Sequence, residues 1–297
     1  SLRVVMGIQD EQFSWKLEPG AAFTSPEVIM SFTDEGFTKL SHNYHHFVRH
    51  NICRGKYQFA RRPVLINNWE ATYFDFTDEK LLEIADEAAG LGIEMLVLDD
   101  GWFGDRNSDN AGLGDWYVNE DKIKCGLKSL VEQVNAKGLK FGIWIEPEMI
   151  NEDSDLYRTN PDWALQMPGR KPNRTRNQLV LDMTRPEVID YLYERVEDLL
   201  GNNHIEYVKW DMNRSLSDAY SSALPADRQG EVLHRYMLGV YELMDRITSN
   251  FPDVLVEGCS GGGARFDAGI LCYSPQIWCS DDTDPIHRLN IQYGTSY

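Results

Sequence analysis

Positive charge is scarce in this chain of 297 residues. Lys and Arg contribute 29 residues against 47 Asp and Glu, which gives a net charge of −18 at pH 7. A field of that sign repels nucleic-acid phosphates and anionic lipid headgroups. The charge balance therefore argues against nucleic acid and against a membrane surface as partners.

Long apolar runs are also absent. No run approaches the roughly 20 residues that a membrane-spanning helix needs, and a segment such as Met95–Leu98 has the length of a buried strand. The 42% of hydrophobic residues is nevertheless enough for a large core and excludes a disordered chain. We expect one large domain, or two, with no membrane partner.

Cysteine is limited to five residues, none of them in a CxxC pair. An odd number without such pairs indicates neither a disulfide framework nor a thiolate zinc site. We therefore expect a reducing compartment, the cytoplasm. We also expect no metal or organic cofactor.

The two ends of the chain suggest a piece of a longer protein. The first residue is Ser1 rather than Met, and no signal-peptide pattern follows it. Residues 291–297 contain neither a helix stop nor the composition of a tail.

Residues 1–56 differ in pattern from the rest of the chain. Segments 13–17 and 28–32 alternate like strands around the turn-forming residues 18–20. Segment 36–51 then has apolar residues at helical spacing. We predict a small β element and a linking helix in 1–56, and a separate domain over 57–297.

From Pro63 onward, short apolar runs alternate with helix-like stretches. Seven runs are predicted as strands, at 64–68, 95–99, 141–145, 179–183, 207–210, 254–257 and 276–279. Predicted helices between them cover 78–91, 127–137, 186–200 and 229–250. Repeated βα units without a GxGxxG motif after the first strand favour an α/β fold of the (β/α)₈ TIM-barrel type over a doubly wound sheet. The eighth unit is missing from the pattern.

Acidic residues follow five of the predicted strands. In a barrel, the carboxyl ends of the strands form one rim, so these acids are expected to meet there beside several Trp residues. Carboxylates bind sugar hydroxyls and indole rings pack on pyranose faces, so a glycosidase with two catalytic carboxyls is the favoured interpretation. Composition alone does not choose the pair. A magnesium site and purely structural helix caps are the alternatives.

Seven motifs resemble, in order, those of the α-galactosidases of glycoside hydrolase family 36. The resemblance covers essentially the whole chain, and the motifs are NNWEATYF (67–74), LDDGWFG (98–104), WIEPEM (144–149), RNQ (176–178), KWDMNR (209–214), EGCSGGG (257–263) and SDDTD (280–284). It implies that residues 1–56 are the end of an amino-terminal β-sandwich domain and that 57–297 is the catalytic barrel. It also implies α-galactoside oligosaccharides such as melibiose and raffinose as substrates, and a homo-tetramer for the full-length protein.

The resemblance further implies a retaining mechanism with Asp211 as nucleophile and Asp281 as acid/base. The substrate-binding residues that it implies are Trp69, Asp99, Asp100, Trp144, Arg176, Lys209, Asn213, Cys259 and Gly262. Asp282 departs from the commonest family pattern, in which Asn follows the acid/base. We prefer Asp281 because adjacent residues of a strand point to opposite faces.

Several alternatives stay open at this stage. An α-galactosyl transferase or an α-N-acetylgalactosaminidase fits similar barrels, and an inactive sugar-binding fragment fits an incomplete one. Lys209 would suit a Schiff-base aldolase, although the acids around it favour a hydrolase. The glycines of 258–263 lack the Lys and Ser/Thr of a phosphate loop, and the four His residues of 42–50 lack an accompanying zinc pattern.

Overall fold

The computed structural model describes residues 3–297, and its centre is a parallel sheet. Within those residues the sheet has six strands in the order β1-β2-β3-β6-β7-β8, and every neighbouring pair is parallel. A separate antiparallel pair joins β4 to β5. The strands are β1 Leu65–Asn67, β2 Met95–Leu98, β3 Lys140–Ile145, β4 Met149–Ile150, β5 Leu179–Val180, β6 Tyr207–Trp210, β7 Leu255–Gly258 and β8 Gln276–Ile277.

Helices lie between the strands, as the apolar spacing predicts, and one further helix lies before β1 and another after β8. Each long helix buries one apolar stripe, and α6 packs on α7. Their bounds are α1 Phe37–Phe47, α2 Trp69–Thr72, α3 Asp78–Gly90, α4 Leu127–Ala136, α5 Asp155–Thr159, α6 Pro186–Asn202, α7 Val232–Asn250, α8 Ala268–Leu271 and α9 Pro285–Thr295. The four helices predicted in 78–250 and the linking helix are confirmed.

One of the seven predicted parallel strands is wrong. The run at 179–183 contributes only β5, which pairs antiparallel with β4. In the parallel sheet β3 therefore pairs directly with β6, and Gly142 lies opposite Tyr207 in that register. A short buried apolar run does not reveal its partner, because both arrangements cover its two faces. The prediction of an incomplete parallel βα barrel otherwise holds, with six strands.

The two strands predicted at 13–17 and 28–32 are also wrong. Residues 3–36 contain no strand, and most of their side chains are exposed. An extended segment becomes a strand only where another strand bonds to it, and among the described residues these segments have no such partner. Membership of 1–56 in a β-sandwich domain stays a prediction. Ser1 and Leu2, at the chain start discussed above, lie outside the described residues.

Parallel pairing brings the carboxyl ends of the strands to one edge. Ile145 at the end of β3 aligns with Trp210 of β6, and Trp210 aligns with Gly258 of β7. Asp211 and Cys259 directly follow these residues. The sheet register therefore places neighbouring motifs side by side.

Gly239 marks a close approach between α7 and the segment after β5. A Cβ atom at Gly239 would lie 1.9 Å from the carbonyl oxygen of Met183. We expect Gly239→Ala to lower the free energy of unfolding by about 1–3 kcal/mol, because the backbone must move apart. Urea unfolding checks this, with Gly201→Ala near the end of α6 as the matched control. A Cβ at Gly201 meets nothing within 4 Å, so equal losses in both variants would contradict the packing argument.

Candidate active site

Asp211 is a buried carboxylate at the strand ends that is held by several hydrogen-bond donors. It follows β6, and its side chain accepts hydrogen bonds from three segments of the chain. Trp144 Nε1 donates to Oδ2 at 3.1 Å, while the main-chain N–H groups of Met212 and Gly261 donate to Oδ1 at 2.8 and 3.3 Å. Because the residue is only 6% exposed, these donors fix the direction in which the carboxylate points.

The charges around Asp211 keep it ionised. Burial raises the pKa of Asp211, but the Lys209 ammonium and hydrogen bonds from Asn213 and Cys259 outweigh burial, so the pKa lies below its usual value. Burial lowers the pKa of Lys209, yet Asp99, Cys259 and Asp211 raise it above its usual value overall. A charged Lys209 does not suit Schiff-base chemistry, which needs a neutral amine.

Asp99 and Asp100 both follow β2 but have different partners. Asp99 Oδ2 lies 3.0 Å from Lys209 Nζ and also accepts from the Asn67 side chain. Asp100 forms a bidentate ion pair with Arg106, at 2.9 Å to Nε and 2.8 Å to Nη2. Burial raises the pKa of Asp100, and Arg106 opposes that rise. Asp99 therefore belongs to the Lys209 cluster, whereas Asp100 is neutralised by a buried arginine.

Asp281 and Asp282 follow β8, and their contacts separate them. Trp278 Nε1 donates to Asp281 Oδ1 at 2.6 Å, and the same indole ring lies 5.7 Å from Lys209 Nζ. Asp282 instead accepts from the Asp284 N–H at 2.9 Å and pairs with His287 Nδ1 at 2.9 Å, at the start of α9. Of the two acids, Asp281 is the one whose contacts lead towards Lys209.

A glycine loop passes between the Asp211 and Asp281 segments. Gly261, Gly262 and Gly263 all have positive φ, at 56°, 86° and 92°. A Cβ at Gly262 would lie 3.1 Å from the Asp281 nitrogen, and one at Gly263 would lie 2.7 Å from the Trp278 carbonyl oxygen. Only glycine combines this backbone conformation with this closeness.

The other predicted substrate residues fall into two groups. Trp144, Asn213 and Cys259 lie close to Asp211: the indole is nearly fully buried and donates to it, and the Asn213 and Cys259 side chains contribute to lowering its pKa. Trp69 is half-buried at the start of α2, edge-on to Tyr73 and Phe74. Arg176 is exposed at the tip of a tight turn, and its side chain forms no ion pair with any residue in 3–297. The structure thus groups most of the predicted residues but links neither Trp69 nor Arg176 to Asp211 by direct contact.

Sequence reasoning placed Glu146 and Glu148 among the acids at the strand ends without giving either a role, and it missed Arg106 and Trp278. Glu148 is fully buried and accepts four hydrogen bonds, two from Arg265 and one each from Trp210 and Tyr236. Burial raises the pKa of Glu148, but Arg265 and the other donors bring it below its usual value. The Arg265 pair ties the segment after β3 to the chain that follows the glycine loop. The only sequence signal for these residues was their place in or beside the motifs.

Residues 3–297 contain neither a cluster of metal ligands nor a membrane-spanning helix. No three His, Cys, Asp or Glu side chains within 3–297 are arranged to hold a metal ion. In the described part of the chain, no helix is both long and apolar enough to span a bilayer.

Comparison with known proteins relates this arrangement to one family. Residues 22–297 match the family model described as Melibiase. The chain is 56% identical over 295 residues to the bifunctional α-galactosidase/sucrose kinase AgaSK of Mediterraneibacter gnavus, covering 99% of this chain and 31% of that protein. It is 55% identical over 294 residues to α-galactosidase AgaA of Geobacillus stearothermophilus, covering 99% of this chain and 40% of that protein.

The crystal structure of the GH36 α-galactosidase AgaA superposes with a TM-score of 0.96 at 54% identity. The match covers 98% of this chain and 40% of that one. The fold predicted from the sequence is therefore confirmed, and the chain spans less than half the length of these relatives.

Proposed function

The chain belongs to the melibiase family of GH36 α-galactosidases, and we propose that it carries the catalytic site of a retaining enzyme that releases terminal α-linked galactose from oligosaccharides such as melibiose and raffinose. One observation above all supports this activity. Asp211 is a buried, ionised carboxylate fixed by three N–H donors, and a glycine loop separates it from a second acid, Asp281. The relative AgaA has been crystallised as a variant with raffinose, which supports the substrate class.

In the proposed first step, an Asp211 oxygen attacks the anomeric carbon of the galactoside. The bond to the leaving oxygen breaks, and the proton of Asp281 passes to that oxygen. Lys209 keeps Asp211 in the charged form that the attack requires. The product of this step is a covalent galactosyl-enzyme.

In the second step, Asp281 removes a proton from water, whose oxygen attacks the same carbon and releases Asp211. Two inversions retain the anomeric configuration. Retaining enzymes place their two carboxyls about 5 to 5.5 Å apart, which leaves no room for a water between nucleophile and sugar.

Galactose recognition is proposed for the residues around Lys209. Asp99 and Asp100 would accept from the hydroxyls that distinguish galactose, Lys209 and Arg176 would contact neighbouring hydroxyls, and Asn213, Cys259 and Gly262 would lie near the 2-hydroxyl. Trp69 and Trp144 would form the walls. The buried Lys209–Asp99 pair supports this assignment, because a sugar that lacks the matching hydroxyl would leave a buried charge underpaired.

Release of nitrophenol from its α-galactoside by the complete natural protein tests the activity, with the α-glucoside as control. We expect the α-glucoside to react at least about 100-fold more slowly, because it fails to pair with groups built for the galactose hydroxyl. Turnover of the α-N-acetylgalactosaminide instead would favour the aminosugar enzyme. Equilibrium binding of galactose without hydrolysis would favour a sugar-binding module.

Location and assembly are further parts of the proposal. Five free cysteines are typical of a reducing compartment and support a cytoplasmic enzyme. A homo-tetramer and the absence of any cofactor rest on the family resemblance.

A further inference from the structure

Glu146 is a buried carboxyl group that the proposed mechanism does not use. It follows β3 directly and is 1% exposed. One of its oxygens accepts from the main-chain N–H of Asn213, and Gln178 Nε2 lies 3.0 Å from the other. A single side chain therefore joins the end of β3 to two segments that are distant in sequence.

Both segments carry residues of the proposed site. Asn213 lies two positions after Asp211, in the irregular stretch that follows β6. Gln178 closes the turn whose tip is Arg176, through a bond from its own N–H to the Thr175 carbonyl at 3.1 Å. Arg176 and Asn177 both have positive φ, at 51° and 58°, so this turn has a strained backbone that needs outside support.

The surroundings of Glu146 favour its neutral form. Burial and then the Asp211 charge raise the pKa of Glu146 to about 8, and Asp100 adds to the rise. The Asn213 N–H and Arg106 oppose it. A neutral acid at this place leaves the negative charge on Asp211, where the chemistry needs it.

Gln178 provides a second, independent observation. Its Oε1 atom is buried and has no hydrogen-bond partner within residues 3–297. A half-turn of the amide would direct this oxygen at Glu146, where it can accept the proton of a neutral carboxyl. Rotation of the Gln178 amide can therefore provide an acceptor for a protonated Glu146 without movement of the main chain.

We propose that Glu146 is a positioning residue whose hydrogen bonds to Asn213 and Gln178 hold the Asp211 segment and the Arg176 turn in register. The inference rests on the proposed role of Asp211 as nucleophile. It predicts that Glu146→Gln, which keeps the shape of the side chain and its hydrogen bonds, preserves activity. Glu146→Ala, which removes both, should lower activity.

The kinetic test compares Glu146→Gln and Glu146→Ala with wild type in the complete protein. We expect Glu146→Ala to lower kcat for an aryl α-galactoside about 10- to 100-fold and to raise KM several-fold, since misplacement by about 1 Å has effects of this size. Glu146→Gln should stay within about three-fold of wild type, because its amide can serve both partners. Rates are expressed per active site, counted by the burst of nitrophenol.

Glu231→Ala is the matched control. Glu231 is also a fully buried carboxylate, but it pairs with Arg235 at the start of α7. We expect this variant to melt at a lower temperature with unchanged kcat and KM per active site. If Glu146→Ala behaves in the same way, the residue is merely structural and the inference is overturned.

A melting series from pH 5 to pH 8 tests the neutral acid without any substrate. In the unfolded chain Glu146 releases its proton near its ordinary value of about 4.5, whereas in the folded chain it keeps the proton to about pH 8. At Glu146 the unfolded state therefore binds fewer protons over this range, so the contribution of this residue to stability falls as pH rises. Glu146→Gln removes that loss, and its melting temperature should gain a few degrees on wild type between pH 5 and pH 8.

The outcomes distinguish failure of the positioning role of Glu146 from failure of the proposed α-galactosidase activity. A constant difference in melting temperature, or equal kinetic damage in both Glu146 variants, overturns the inference while the activity stands. If wild type releases no nitrophenol from the α-galactoside, the proposed function fails and the inference fails with it.

Discussion

Asp211→Asn is expected to lower kcat for nitrophenyl α-galactoside by roughly 10⁴-fold or more. The amide is isosteric, but it cannot form the covalent galactosyl-enzyme. With its oxygen facing the Met212 and Gly261 N–H groups, the amide keeps both of these hydrogen bonds and loses only the one from Trp144 Nε1, so the fold should survive. Steady-state turnover and the nitrophenol burst measure the loss together.

Azide provides a stereochemical control for the nucleophile. In Asp211→Ala, the space left by the carboxylate can admit azide, and a single displacement of an α-galactoside would give the β-galactosyl azide. Asp282→Asn is the matched variant, because Asp282 contacts only the start of α9. Normal turnover by Asp211→Asn would remove Asp211 from the mechanism.

Asp281→Ala is expected to affect substrates according to their leaving groups. Melibiose should lose about 10²- to 10⁴-fold in kcat/KM, because its sugar leaving group needs a proton in the transition state. Nitrophenyl α-galactoside should lose far less in this step, because nitrophenolate leaves without protonation. Comparing kcat/KM for the two substrates isolates the acid role, since this ratio reports only the steps up to release of the leaving group.

The base role of Asp281 is tested separately, by the rate of deglycosylation. Deglycosylation by water should become slow in Asp281→Ala, and azide should restore turnover because it needs no base. The product is then the α-galactosyl azide, formed by two displacements. Equal losses on both substrates, or rescue of Asp282→Ala instead, would assign the acid/base elsewhere.

The contrast between Asp281 and Asp282 illustrates what the sequence can distinguish. The sequence predicts that alternation along a strand separates the two side chains, but β8 ends at Ile277 and both acids lie in the irregular segment after it. The structure adds the partners: Trp278 and, beyond it, Lys209 for Asp281, and His287 for Asp282.

Much of the fold follows from local patterns in the sequence. Apolar residues three and four apart indicate α3, α4, α6 and α7, because a helix packed on one side needs such a stripe. Short apolar runs followed by acids indicate parallel strands with a functional edge. The family follows from seven motifs in order, each of which would be weak alone.

Strand pairing cannot be predicted from local patterns in the sequence in the same way. Segments 13–17 and 28–32 have the composition of strands but form none among the described residues, and β5 pairs with β4 rather than inside the parallel sheet. A strand is defined by its hydrogen-bonded neighbour, and the composition of a segment contains no information about that neighbour.

The sequence by itself determined the helices α1, α3, α4, α6 and α7, the repeated βα order and the set of residue types that meet at the strand ends. Only the tertiary structure decided that Arg106 neutralises Asp100, that Lys209 pairs with Asp99, and that Glu146 joins the Asp211 segment to the Arg176 turn. The reason is physical: periodicity records which side of an element is buried, whereas charge state and orientation depend on burial and on partners that are tens of residues away in the chain.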